Sequence, residues 1–151
     1  MGCDIHAHVE VYTNQWDYVD DLELYRSYGL FGFLGNVRNY SHVPAISSRR
    51  GLPVEASEEL KQIHEDEYDL HSTSYVYLKE LLDFDYSQVF EDRRTTLQTG
   101  NVFDGAHICE AGQGEQTTVR EFLGPSYFKI LEKLKQYGEA DKVRLVFWFD
   151  N

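Results

Sequence analysis

The ten residues 142–151, Lys-Val-Arg-Leu-Val-Phe-Trp-Phe-Asp-Asn, are too apolar for any place in a globular fold except the middle of a β-sheet. Val143, Leu145, Phe147 and Phe149 fall on one side of an extended chain, while Val146 and Trp148 fall on the other. The segment therefore predicts a central strand that is buried on both faces. At 151 residues the chain has the length of one domain, long enough to bury such a core without disulfide or metal staples.

The opening residues have the same period with a different composition. Cys3, Ile5, Ala7, Val9 and Val11 form an apolar face, and Asp4, His6, His8 and Glu10 form a polar one. Two imidazoles between two carboxylates, spaced about 7 Å apart along one strand face, suit metal binding, proton transfer or a grip on a ligand. The same row also suits a half-exposed edge strand. Hydrolases with H-x-H on a first strand build barrels of about 250 residues, longer than this chain.

Downstream, a polar turn at 13–15 and the segment Trp16-Asp17-Tyr18-Val19 predict a hairpin with the first strand. Leu30, Phe31, Leu34, Val37 and Arg38 are spaced for a short helix. The irregular stretch 39–53 contains Ser47-Ser48-Arg49-Arg50-Gly51, whose guanidiniums, hydroxyls and backbone N–H groups fit an anion-binding loop or simply a solvated one. Ser57 predicts an N-cap for a helix to about residue 65. His71, Ser72 and Ser74 precede a helix on Leu78, Leu81 and Leu82, with Thr73 or Ser74 as its expected cap. Residues 91–116 read as loop, with one strand near Val102 or His107-Ile108-Cys109. Thr117 or Thr118 starts a helix that Gly124-Pro125 interrupts, and a second amphipathic helix runs to Gly138.

A formal net charge of −12 disfavours nonspecific attraction to nucleic acid and to anionic membranes, and it leaves a basic protein partner open. The apolar runs are too short to span a membrane. Two cysteines make no disulfide framework, and no leader precedes the strand-like start, so a cytoplasmic location is expected.

Several of these segments together, Gly2-Cys3-Asp4-Ile5-His6 with Glu10, Leu30-Phe31, Val37-Arg38, Arg50-Gly51-Leu52-Pro53, His71-Ser72 with Ser74, Glu80-Leu81 and the terminal Phe-Asp-Asn, make the chain resemble a family of small hypothetical proteins of bacteriophages and prophages. His8 departs from the hydrophobic or aromatic residue that the resemblance leads one to expect. The resemblance carries neither a fold nor a reaction. It implies a setting, the host-cell cytoplasm, in which proteins of this size modulate host enzymes, counter host defence or handle nucleotides.

The expectation is a single α+β domain over residues 1–151: a mostly antiparallel sheet with the N-terminal hairpin and the C-terminal strand, and helices packed on one face. Its site binds a small phosphorylated, nucleotide-like ligand, with metal-assisted hydrolysis as an option. Asp4, His6, Glu10 and His71 are the candidate acid and base groups. Arg38, Arg49, Arg50, Ser72, Ser74 and Asp150 are the candidate ligand contacts, and Asp4, His6 and His8 are the candidate ligands for zinc, manganese or magnesium. The alternative is an acidic, non-catalytic protein that inhibits a host protein. The oligomeric state stays open.

Overall fold

The six strands and four helices that follow come from a computed structural model, which describes residues 2–94 and 108–151. The first strand, β1 (Asp4–Tyr12), turns into β2 (Trp16–Leu22), as the polar turn requires. The last strand, β6 (Val143–Asp150), lies between β1 and β3 (Leu70–Tyr77), which gives a four-stranded antiparallel sheet in the order β2-β1-β6-β3. The fold is α+β, with the N-terminal hairpin and the C-terminal strand in one sheet.

The alternation read in β1 and β6 sorts side chains onto two faces. Cys3, Ala7 and Val9 join Val143, Leu145, Phe147 and Phe149 in the larger core, under α1 (Tyr28–Gly35), α3 (Leu78–Asp83) and α4 (Val119–Lys135). On the opposite face, Val146 and Trp148 form a smaller core with Ala56 and with Leu60 of α2 (Glu58–Asp66), so this face too is partly roofed. Residues 143–149 of β6 are all buried, as two covering layers demand.

Local chemistry sets the element ends. Ser57 accepts a hydrogen bond from the Leu60 N–H at 3.2 Å and caps α2, and Ser27 caps α1 in the same way through Leu30. Helix α1 stops at Asn36, whose φ of 54° is left-handed. Its Gly35 packs flat on the sheet, since a Cβ there would stand 2.9 Å from the Phe149 ring. Gly124, with φ 76°, kinks α4 just before Pro125, and Thr118 caps its start.

Two expectations change. Residues 70–77 are a strand, not a loop leading to a helix cap: Thr73, Tyr75 and Tyr77 alternate with Ser72, Ser74 and Val76, and the polar members conceal the period. Ser74 does not cap α3; its Oγ accepts the Arg50 N–H at 3.1 Å. Tyr77 stands at the N-cap of α3, and its N–H donates to Glu80 Oε1 at 3.0 Å. A separate hairpin, β4 (Val89–Asp92) with β5 (Glu115–Thr118), pairs the two ends of the stretch 91–116 read as loop and extends past both of them. Ile108 bridges Arg94, while Val102 and His107 lie outside the described residues. No helix among the described residues is long and apolar enough to cross a membrane.

Candidate functional site

The register places Asp4 opposite Asp150, His6 opposite Trp148, His8 opposite Val146 and Glu10 opposite Arg144. The polar row of β1 thereby meets four different environments, set for His6, His8 and Glu10 by neighbours on β6 or β2 and for Asp4 by Arg26 beyond β2.

At the Asp150 end, the His6 Nε2 is 2.6 Å from Asp150 Oδ2, and its Nδ1 is 4.0 Å from Glu67 Oε2. The same Glu67 oxygen accepts the Trp148 indole N–H at 2.7 Å, which ties the end of α2 to the sheet. One step along β1, the His8 Nδ1 is 2.6 Å from Asp21 Oδ1 on β2. Tyr18 donates its hydroxyl to the same oxygen at 2.7 Å. Asp21 reaches this position because β2 bulges between its Asp20 and Tyr18 pairings, and bulges re-aim side chains. Burial pushes the Asp21 carboxyl up, but the hydrogen bonds from Tyr18 and His8 outweigh it and hold the group below its usual range. The shared hydrogen bond pushes the Tyr18 phenol up to about 12.

His8 is 6% exposed and packs on the Trp148 ring with centroids 4.5 Å apart. With Nδ1–H directed to a carboxylate, its Nε2 carries the lone pair, and that nitrogen is buried without a hydrogen-bond partner. Buried polar atoms are almost always paired, so an orphan imidazole nitrogen asks for an explanation. Both imidazoles line a cleft of about 770 Å³ between β1, the end of β2 with Tyr25, Ile63 of α2 and Glu67 just past its end. That volume suits a small organic molecule.

The rest of the row is held elsewhere. Asp4 is exposed and receives a two-pronged hydrogen bond from Arg26, both contacts at 2.8 Å. Glu10, fully buried at the far end of β1, pairs with buried Arg144 at 2.6 Å and accepts the Ser57 N–H at 2.9 Å. Trp16 covers the Arg144 guanidinium 3.9 Å from its ring centre. Glu10 thus holds the fold and does not line the cleft. Among the described residues, no group of three His, Cys, Asp or Glu side chains is arranged to hold a metal ion. Asp4, His6 and His8 each turn to a separate partner.

The expected arginine loop is also divided. Arg49 is exposed, and Arg50 forks onto Glu80 at 2.7 and 2.6 Å while donating to the Tyr75 carbonyl at 3.1 Å. That hydrogen bond holds the Glu80 carboxyl below its usual range. With Ser74 on its backbone N–H, Arg50 braces residues 47–51 against β3. Arg38, His71 and Ser72 gather instead at the Asp150 end, on the core side, where His71 lies 6.2 Å from the Phe149 ring centre.

Asp21, Tyr18, Glu67 and Asn151 were not singled out from the sequence. The signal for Asp21 existed only as a cross-strand partner of His8, and the bulge hides that register. No family model, curated protein or solved structure matches the chain.

Proposed function

We propose that the chain binds a small polar molecule of nucleoside size in the His6 and His8 cleft, with His8 as a general base toward it. The observation that carries the reading is the buried, unpaired Nε2 of His8, a residue that lines a cleft of about 770 Å³ and whose opposite ring nitrogen is fixed by Asp21 at 2.6 Å. An imidazole oriented by a carboxylate, with its second nitrogen unpaired, is the arrangement that general-base chemistry uses, and because that nitrogen is buried the ligand must displace part of the cleft wall to reach it. Asp21, Glu67 and Glu23 line the cleft and Asp150 adjoins it through His6, so the part of a ligand that enters is uncharged or cationic. A phosphate on the same ligand would stay outside this acidic rim. The resemblance to phage and prophage proteins makes nucleoside-derived compounds the class to try first.

The test is a thermal-shift panel of nucleosides, their phosphates and aliphatic amines, run with and without zinc, manganese and magnesium. Binding to the native state raises the melting temperature by mass action. A nucleoside or amine is expected to stabilise the protein, and His8→Ala is expected to abolish that shift. A flat panel, or a shift that survives in both His8→Ala and His6→Ala, sinks the reading. The second reading, an acidic inhibitor of a host protein, draws on edge strand β2, where Asp17, Asp20 and Asp21 flank an exposed Val19. A flat panel together with binding of a basic protein would favour it.

A further inference from the structure

On the core side of the same sheet end lies a second constellation, independent of the cleft. The His71 Nδ1 is 2.8 Å from Ser72 Oγ, and the His71 Nε2 is 3.3 Å from Asn151 Oδ1. The amide oxygen can only accept, so Nε2 carries the ring hydrogen and Nδ1 the lone pair, which then accepts the Ser72 hydroxyl hydrogen. Nucleophile, base and orienting group stand in line, within the distances that activated serines show. We propose that Ser72 is a nucleophile, activated by His71 and oriented through Asn151, acting on a small carboxylic ester or comparably activated acyl compound.

A hydrogen bond between sequence neighbours is common, and other observations set this one apart. Ser72 has φ 61°, in the left-handed region that serine rarely adopts, and Arg38, which shares the Asn151 oxygen with His71, has φ 46°. Strain of this kind persists only where the surroundings impose it, and it concentrates at functional sites. The β3 register also shifts between His71 and Ser74, which takes Ser72 out of the regular ladder. The third member comes from 80 residues away in sequence, and Arg38 donates to the same Asn151 oxygen at 3.4 Å while holding the Tyr28 hydroxyl at 3.0 Å. Arg38 thus helps to hold the Asn151 side chain toward His71. Stacking near Phe149 fixes the plane of the imidazole.

In the reaction, Ser72 Oγ bonds to the acyl carbon as its proton passes to His71 Nδ1. The tetrahedral adduct collapses, the carbon–oxygen bond to the alcohol breaks, and His71 returns the proton to the leaving alkoxide. Water then attacks the Ser72 ester, giving its proton to Nδ1; the acid departs, and the proton restores the serine hydroxyl.

A fluorophosphonate probe tests this on the full chain, because Oγ displaces fluoride and leaves a stable phosphonyl-serine that intact mass and peptide mapping can read. One label per chain is expected, located on Ser72. Ser72→Ala should remove it, and His71→Gln should slow labelling at least tenfold while the melting temperature stays near that of the parent. Asn151→Ala should slow labelling several-fold, and Asn151→Asp, which keeps an accepting oxygen for Nε2–H, should restore the rate; a merely structural role would not give that rescue. No label on the parent protein, a label on another residue, or equal rates in the His71 variant would overturn the proposal. The readout is independent of the nucleoside shift, so failure of one leaves the other standing.

Discussion

Residues that share one face of β1 differ in what they do because β6 and β2 present different partners to them. Glu10 is the clearest case: it belongs to the same polar row as His6, yet it is fully buried against Arg144, with Glu55 as a second carboxylate 3.1 Å from that guanidinium. Breaking a buried pair by removing one partner strands the other charge and costs about 3–5 kcal/mol. Glu10→Gln is therefore expected to lower the unfolding free energy obtained from urea denaturation by an amount in that range, whereas Glu10→Leu with Arg144→Met, which removes both charges, should recover much of it. A single-variant loss below about 1 kcal/mol would mean that the pair contributes little beyond a surface ion pair. The sequence could identify the row as chemically active but not divide it, because the division depends on cross-strand partners 13 to 144 residues distant.

Helix α2 carries the roof of the cleft, and its His64 makes the stability of the fold depend on pH. His64 donates to or accepts from Thr73 Oγ1 at 2.9 Å and lies against Trp148 with centroids 4.8 Å apart. Burial lowers its pKa from the ordinary 6.5, and nearby His8 lowers it further, against an opposing pull from Glu67. A folded value below the unfolded one means that the unfolded chain binds the proton more readily. The stability His64 contributes is then complete above 6.5 and is lost as the pH falls through the lower folded value. Urea midpoints measured at pH 7.5 and 5.5 should fall more steeply for the parent than for His64→Gln; equal slopes would remove His64 from the account. Asp21 and Glu80, whose values are also lowered, act at more acidic pH and do not enter this window. At this scale the sequence was legible where a local rule decides the outcome, as with the Ser57 cap, the Thr118 cap and the break at Gly124-Pro125. It was not legible in β3, where serines and threonine at alternate positions blur the period, nor in the β4 and β5 hairpin, where pairing across more than twenty residues makes the strands.

For the molecule as a whole, β6 is the element on which everything else is registered. It pairs with β1 on one side and β3 on the other, its Val143, Leu145, Phe147 and Phe149 enter the larger core, and its Val146 and Trp148 enter the smaller one. Truncating a single buried aromatic to alanine costs about 3–5 kcal/mol, and a domain's entire stability is about 5–15 kcal/mol. Phe147, Trp148 and Phe149 are each fully buried, so losing the three together, about 9–15 kcal/mol, is as large as the whole stability of such a fold. The chain lacking residues 143–151 is expected to show no cooperative thermal transition. The two terminal residues make a sharper probe, since Asp150 is only partly buried and Asn151 is exposed. Asp150 holds His6 on one face, and Asn151 meets His71 and Arg38 on the other. The chain ending at Phe149 should therefore melt cooperatively within a few degrees of the parent, yet lose fluorophosphonate labelling and weaken the nucleoside shift together. A cooperative melt in the longer truncation would remove β6 from the centre of the sheet, and full labelling in the shorter one would separate Asn151 from the serine it is placed to serve.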